Sequence, residues 1–465
     1  MPLTSKRRRR SAGDGVLSRL LSLDPIALVE SVQNDKEQLE ALANFADAIR
    51  KQSSAALANI RDIESKTLRL SLVEQNRKRQ QMVVDHMSEH DPDDAMLMLS
   101  LLRNEEIEAE RQIPRMLLRR SILPYEMCTW KHLYETRSDR AFVIFTGFNI
   151  KSFHELLKCF QPLYRSTTMR NLPKGQYFKE LTRPMQRQLP AHAALGMILR
   201  WATSTCDEYD LCLHFGCIPA TVSRFLSYAL ALLNEVVASH PLAQITFPSR
   251  EQQLLNSYMI SDKYTLLAGA VGSLDGLRLP LKEDPDPIAQ NKYYNGWTKQ
   301  VCTANVLLWS PDGTIAAAVY NCMGNLHDST VCEVGDIYRT MKEQMPPDMY
   351  YIADSAFGKV ADSLTGGRKI RRASKISEAG PQNDFETLWE EQVRQFRQTA
   401  EWGNAHLVRT FPRLKTKWSA TDHHFRSLAF STIFQLSNFR TRMMGRNEIQ
   451  TVFEIPGLHD SESED

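Results

Sequence analysis

After about Leu266 the chain changes texture, and this change constrains the fold more than any other feature of its 465 residues. Gly269 to Leu279, Thr298 to Trp309 and Gly313 to Cys322 are three successive β-branched and apolar runs bounded by turn signals. Pro311-Asp312-Gly313, between the second and third, has the composition of a hairpin turn. Helical spacing follows from about Ser329 to Met341, then a short buried strand at Met349 to Ala353, then helix from Phe385 to Leu407 and from Phe425 to Met443. Three antiparallel strands, a helix, a strand and more helices predict an α/β domain over about 265–443, a mixed sheet with flanking helices.

Everything before this reads as all-α. From about Pro25 to Glu110 the chain is rich in Leu, Ala, Glu, Gln and Arg at helical spacing. Ile26 to Leu70 suits packing against a partner chain and an internal hairpin equally. Pro92 marks a break, with Asp93-Asp94 suited to start the next helix. A second helical region runs from about Pro124 to Ser239, where Phe153, Leu156, Leu157, Phe160, Leu163 and Tyr164 make one apolar face. Within it Ala193 to Leu199 begins a helix, and Cys206 to Phe215 and Pro219 to Leu233 read as two more, separated by Gly216. That is the layout of a helix-turn-helix, which would carry Ala220, Thr221, Ser223 and Arg224 into a DNA groove; similar packings also occur without DNA. The expected organisation is a disordered basic arm over 1–24, a helical N-terminal region over 25–122, and a helical domain with the helix-turn-helix over 123–245. The α/β domain over 265–443 and an acidic tail over 444–465 complete it.

Hydrophobic residues make up 42% of the chain, with aromatics spread along it, which excludes a wholly disordered or fibrous protein. The net charge of +2 conceals an uneven distribution, because Lys6, Arg7, Arg8, Arg9 and Arg10 form a cationic run while Asp460, Glu462, Glu464 and Asp465 cluster at the other end. Five consecutive cations fit a nuclear import signal, and so a nuclear protein, or a flexible clamp on phosphates, or a solvated charge run. No apolar stretch has the length of a membrane helix, so no membrane partner is expected. The eight cysteines never form a C-x-x-C pair, and Cys212 and Cys217 beside His214 lack a second ligand pair, so packed, reduced thiols are expected rather than zinc.

Three acids carry the chemistry. Asp275, in Val271-Gly272-Ser273-Leu274-Asp275-Gly276, sits inside an apolar run where a carboxylate is costly unless something cationic meets it. Asp354 ends the run Tyr350-Tyr351-Ile352-Ala353, and Glu401 lies on the helix containing Arg397-Gln398-Thr399-Ala400-Glu401-Trp402-Gly403-Asn404. Three oxygen donors on rigid elements suit hard divalent ions, Mg²⁺ or Mn²⁺. Two such ions, about 3.5 to 4 Å apart, serve in-line phosphoryl transfer. Each acid also has a plain alternative: Asp275-Gly276 is a turn dipeptide, Asp354-Ser355 can cap a helix, and Glu401 can pair with Arg397 at i, i+4.

Four blocks in order carry a family resemblance. They are Gly272 to Gly276; Tyr293-Tyr294-Asn295-Gly296-Trp297-Thr298-Lys299 running into Asn305-Val306; Gly324-Asn325-Leu326-His327-Asp328-Ser329; and Tyr351 to Phe357. With a looser final block of Glu401, Gly403, Arg409, Leu414 and Lys415, the chain from about Phe153 to Met443 resembles the PIF/Harbinger superfamily of DNA transposases. The resemblance implies a ribonuclease-H-like catalytic domain with an Asp-Asp-Glu triad, here Asp275, Asp354 and Glu401, that cuts and joins double-stranded DNA with divalent metal ions. Glu386, Glu390 and Glu391 compete for the third place. It also implies a separate Myb-like DNA-binding partner, and two-ended strand transfer makes a homo-oligomer plausible. The rival reading is a domesticated nuclear DNA-binding protein without catalysis; a purely hydrolytic nuclease shares the same metal chemistry.

His327 and Asp328 read either as neighbours of the active site or as a helix start, with Thr330 to Glu333 at capping-box spacing. Among the basic residues between the acids, Lys299, Arg371, Arg372, Arg409 and Lys415 are the candidate phosphate contacts, together with Lys292, Arg368, Lys369, Lys375, Arg413 and Lys417. Trp297 and Trp402 flank the proposed centre and could stack on an unpaired base, but core packing is the expected job of each.

Overall fold

The computed structural model describes residues 121–167, 188–357, 359–367, 369–372 and 384–453. The basic run Lys6 to Arg10, the helices read between Pro25 and Glu110, Arg368, Lys375 and the acids after residue 453 lie outside the described residues. Among the described residues seven α-helices precede the sheet: α1 (Thr129–Thr136), α2 (Asp139–Thr146), α3 (Ile150–Ser166), α4 (Ala191–Ala202), α5 (Glu208–Phe215), α6 (Pro219–Ser239) and α7 (Arg250–Lys263). Their starts are written in local chemistry, since Ser138, Asn149, Asp207 and Ser249 each accept a backbone N–H of the first turn they cap. On α3, Phe153, Leu156, Leu157, Phe160 and Tyr164 are buried, as the helical spacing predicts. They pack towards Trp130, whose ring lies 5.5 to 6.0 Å from those of Phe142, Phe145, Phe153 and Phe215.

Helices α5 and α6 bend by 96° across the turn at Gly216, which adopts φ +65°. Ala220, Ser223 and Arg224 are exposed on α6. Thr221 is not: it shares the inward face with Val222 and Phe225, and its hydroxyl donates to Gln188 Oε1 at 2.9 Å. The expectation that Thr221 faces a groove is therefore corrected; residues three and four apart share a helix face, and Phe225 fixes this one as the core side. No single helix among the described residues is long and apolar enough to cross a membrane.

The strands are β1 (Ala270–Pro280), β2 (Tyr294–Asn295), β3 (Gln300–Trp309), β4 (Ile315–Met323), β5 (Tyr350–Ile352) and β6 (Ile370–Arg371). The sheet order is β2-β3-β1-β5-β6, with β4 also on β3. β1, β3 and β4 pair antiparallel, whereas β5 runs parallel to β1 and β6 parallel to β5. The remaining helices are α8 (Pro287–Tyr293), α9 (Asp328–Val334), α10 (Ile337–Gln344), α11 (Lys359–Leu364), α12 (Asp384–Thr410), α13 (His423–Met444) and α14 (Glu448–Phe453). The single helix expected from Ser329 to Met341 is two, divided at Gly335 and at Asp336, which has φ +58°. The chain is thus mixed α/β, a mixed sheet with many helices, compatible with a ribonuclease-H-like domain of the Asp-Asp-Glu type.

Alternation along the strands builds a core on each face of the sheet. Leu307 and Trp309 join Phe396, Ala400 and Leu407 of α12 and Phe430 and Phe434 of α13. Val306 and Leu308 join Val271, Leu274 and residues of α9 and α10. The first core continues through α1–α6, so the upstream helices and the sheet are welded together; Phe148 meets Phe439 at 6.0 Å, and Asn234 Nδ2 donates to Ser431 Oγ at 3.1 Å. The stretch expected as an acidic tail from residue 444 begins with α14, whose Ile449 and Phe453 belong to the same core.

Candidate active site

β1 and β5 are neighbours and parallel, with Ser273 opposite Ile352. Asp275 and Asp354 each lie two residues beyond that pair, so the register brings the two acids to the same end of adjacent strands. Asp275 is half-buried, and burial pushes its carboxyl up to about 6; the charges of Asp354, Asp328 and Glu401 add to the rise, against a backbone N–H contribution from Gly276. Asp354 follows β5, and its Oδ1 accepts the N–H of Ala356 at 2.7 Å, the local turn that its short side chain favours.

The third acid comes from α12, which is seated on the sheet by three contacts. Gly403 lies against the Trp309 ring, where a Cβ would fall 2.5 Å from Cδ2 and Cε2. The hydroxyls of Ser273 and Thr399 bond at 2.7 Å. Asn404 accepts from Trp309 Nε1 at 3.1 Å and donates to Asp275 Oδ2 at 3.2 Å and to Gly276 O at 3.3 Å. Glu401, on the same stretch, is half-exposed and paired with Arg397 at 2.9 Å, so the i, i+4 partner offered by the sequence is engaged. Glu390 pairs with Arg394 and Glu391 accepts from Gln395, earlier on the helix; of α12's acids it is Glu401 whose charge bears on Asp275.

A fourth acid stands on the cleft. Asp328 opens α9, capped by His327, whose Nδ1 accepts the Ser329 N–H at 3.4 Å. Asp328 itself caps nothing: it pairs with Arg278 of β1 at 2.6 Å over Gly276, where a Cβ would fall 2.4 Å from its Oδ2. Burial raises its carboxyl, Arg278 lowers it, and Asp354 raises it again. His327 and Asp328 line a cleft of about 680 Å³ together with Gly276, Arg278, Trp297 and Asp354. Sequence reasoning missed Asn404 and Arg278; the signal for Arg278 was a cation three residues after Asp275 in a largely apolar strand.

The candidate phosphate contacts divide. Lys299 and Lys415 are exposed. Arg371 stacks over the Tyr350 ring at 3.8 Å, and Arg372 is held by Asp362 at 2.9 Å and by the Phe357 carbonyl. Arg409 is exposed but paired with Glu448 at 2.6 Å. Of the wider set, Lys369 is buried against the carbonyls of Met345 and Pro346, and Arg413 reaches Trp201 O. Trp402 packs against the core as expected, but Trp297 is 95% exposed.

Among the described residues no three His, Cys, Asp or Glu side chains stand close enough to hold a metal ion together. The donor chemistry nevertheless suits a hard cation: the carboxylates of Asp354, Asp328 and Glu401 add to the cost of ionising the half-buried Asp275, and a cation among them relieves it. Residues 274–438 match a family model described as DDE superfamily endonuclease. The match runs from β1 to α13 and contains Asp275, Asp354 and Glu401, so this part of the chain is similar to transposase-like nucleases of the Asp-Asp-Glu type. Comparison with curated proteins and with solved structures finds no match.

Proposed function

We propose that the chain is a divalent-metal-dependent DNA endonuclease of the transposase type, with Asp275, Asp354 and Glu401 as metal ligands and catalytic residues. The observation that carries this reading is the register that sets Asp275 of β1 beside Asp354 after β5, with the Asp275 carboxyl raised by burial and by the acids Asp354, Asp328 of α9 and Glu401 of α12, inside the span that matches the endonuclease family. The sheet, antiparallel over β4, β3 and β1 and parallel over β1, β5 and β6, supports a ribonuclease-H-like domain. The motif blocks support membership of the PIF/Harbinger superfamily. Two Mg²⁺ or Mn²⁺ ions, when bound, supply charge stabilisation for phosphoryl transfer on double-stranded DNA. Asn404 orients Asp275, and release of Arg397 frees Glu401 to turn towards the other acids. On this reading the protein acts in the nucleus as a homo-oligomer with a Myb-like partner, and Ser223 and Arg224 on α6 present the DNA-facing side of the helix-turn-helix.

A second reading, a domesticated nuclear DNA-binding protein without catalysis, is favoured by one observation: Glu401 is committed to Arg397 and no three ligands converge among the described residues. Cleavage of labelled duplex DNA in Mg²⁺ or Mn²⁺, with and without a Myb-like partner, separates the two. The nuclease reading expects wild-type cutting and a loss of about 100-fold or more in Asp275→Ala, Asp354→Ala and Glu401→Ala, with DNA binding retained. Wild-type binding that never leads to cutting selects the second reading, and cutting that survives only in Glu401→Ala moves the third acid elsewhere.

A further inference from the structure

We infer that Trp297 is a stacking platform for an unpaired nucleobase at the mouth of the cleft, a role that rests on the DNA-processing reading above. Trp297 sits in the tight turn between Asn295 and Gln300, which pair across β2 and β3. The turn is built around the buried Asn295 side chain. Its Nδ2 donates to Gly324 O at 2.8 Å, while its Oδ1 accepts from Trp297 N at 3.1 Å, Thr298 N at 3.0 Å and Thr298 Oγ1 at 3.2 Å. The backbone that carries the indole is therefore fixed, whereas the indole takes no part in fixing it.

Of the seven tryptophans, Trp130, Trp201, Trp309 and Trp418 are buried and Trp389 and Trp402 pack against the core; Trp297 alone stands 95% exposed. It lines the same cleft as Asp354, Asp328 and Arg278. Near it in sequence stand Tyr294, 42% exposed, and two exposed lysines, Lys299 in the turn and Lys292 at the end of α8, neither of which has a carboxylate partner among the described residues. Aromatic rings interleaved with unpaired cations match a single strand, whose phosphates take the charge while its bases offer flat faces to the rings. Inside a duplex both faces of a base are covered by its neighbours, so an indole at this position can stack only on a base that is terminal, flipped or unpaired. Such a base arises where a strand is opened beside Asp275 and Asp354.

The test uses the full chain and two fluorescein-labelled DNA probes: a blunt duplex, and the same duplex with a three-thymidine 3′ overhang, followed by anisotropy without divalent metal. Wild type is expected to prefer the overhang. Trp297→Ala is expected to lower affinity for the overhang by about 5- to 150-fold, the range of one base–aromatic stack, and affinity for the blunt duplex by much less, because there only the terminal pairs offer a face. Trp297→Phe keeps most of the preference, and both variants keep the wild-type Tm because the residue packs on nothing. An unchanged preference in Trp297→Ala overturns the inference, as does a wild type that binds both probes equally; either result leaves the nuclease reading standing if the wild type still cuts DNA. A wild type that neither binds nor cuts DNA overturns both, and Trp297 then belongs to a protein contact.

Discussion

A carboxyl held near 6 makes the folded chain pay for ionisation at neutral pH, and Asp275 is such a group. Without metal the native state keeps the Asp275 proton up to about pH 6, whereas an ordinary aspartate, as in the unfolded chain, loses it near 3.8. Between those values the native state binds more protons, so this contribution to stability is complete below about 3.8 and is lost as pH rises through about 6. The loss is on the order of 3 kcal/mol. In EDTA, Asp275→Asn is therefore expected to be more stable than wild type by roughly 1 to 3 kcal/mol at pH 7.5 and nearly equal to it at pH 4, as read by urea denaturation. Mg²⁺ should narrow the gap by stabilising wild type alone; a variant that gains nothing at pH 7.5 contradicts the burial argument. The acid itself was legible because a carboxylate within Val271 to Leu279 demands a reason. Asn404, which positions it, was not, since its partner is on a distant strand and an asparagine in a helix has no local signature for that. Thr221 failed in the opposite sense: the helix-turn-helix layout put it on the groove-facing side with Ala220, Ser223 and Arg224, but its place on α6 beside Val222 and Phe225 turns it inward to Gln188.

At the level of elements, α12 shows how a helix is set on a sheet to aim a side chain. Alanine normally stabilises a helix interior over glycine by about 1 kcal/mol. At Gly403 the sign is expected to reverse, because the added Cβ meets Trp309, one of the largest fully buried side chains. Gly403→Ala should cost about 1 to 3 kcal/mol by lifting α12 from β3. It should also reduce metal-dependent cleavage beyond the loss of folded protein, since Asn404 and Glu401 move with the helix. Denaturation and single-turnover cleavage of the same sample check both parts, and a stabilised variant would mean that α12 is seated some other way. The strands β1, β3, β4 and β5 and the helices α12 and α13 were legible to within a few residues, because their periodicity is strong and their ends carry turn chemistry. The break at Gly335 and Asp336 was not, as the helical spacing continues across it. Helix α7 escaped because its buried residues include Gln253 and Asn256, polar side chains whose amide nitrogens donate to Pro248 O and Val271 O respectively, so it shows little apolar stripe. The two-residue strands β2 and β6 are too short for any alternation to declare itself.

Across the whole molecule, sequence divides the helices of 123–245 from the α/β region of 265–443, whereas side chains tie them together. Local periodicity reports that a face is apolar but not which other face it meets, so the shared core from Ile122 to Phe453 had no signature in the chain. The ties themselves are arginines that end on backbone carbonyls rather than on acids. Arg440 Nε donates to Gly147 O at 3.0 Å, and Arg442 reaches Leu242 O at 3.0 Å and Gln244 O at 3.1 Å. Arg413, in the turn between α12 and α13, donates to Trp201 O at 2.9 Å and to Cys206 O, with its guanidinium 5.0 Å from the Trp201 ring centre. These carbonyls lie at or beyond helix ends, where the helix leaves acceptors unfilled and a cation is favoured. Removing one such tie leaves buried acceptors wanting, at about 1 to 3 kcal/mol for Arg413→Ala. What matters is where that loss appears. If the upstream helices were a separate module, amide exchange in Arg413→Ala would accelerate in α4–α6 and leave β1 and β3 protected. One shared core predicts instead that amides of α6 and β3 lose protection by the same factor, because both open only when the whole assembly does; hydrogen exchange resolved by mass spectrometry of the intact chain distinguishes the two, and unequal loss would restore the boundary near residue 245.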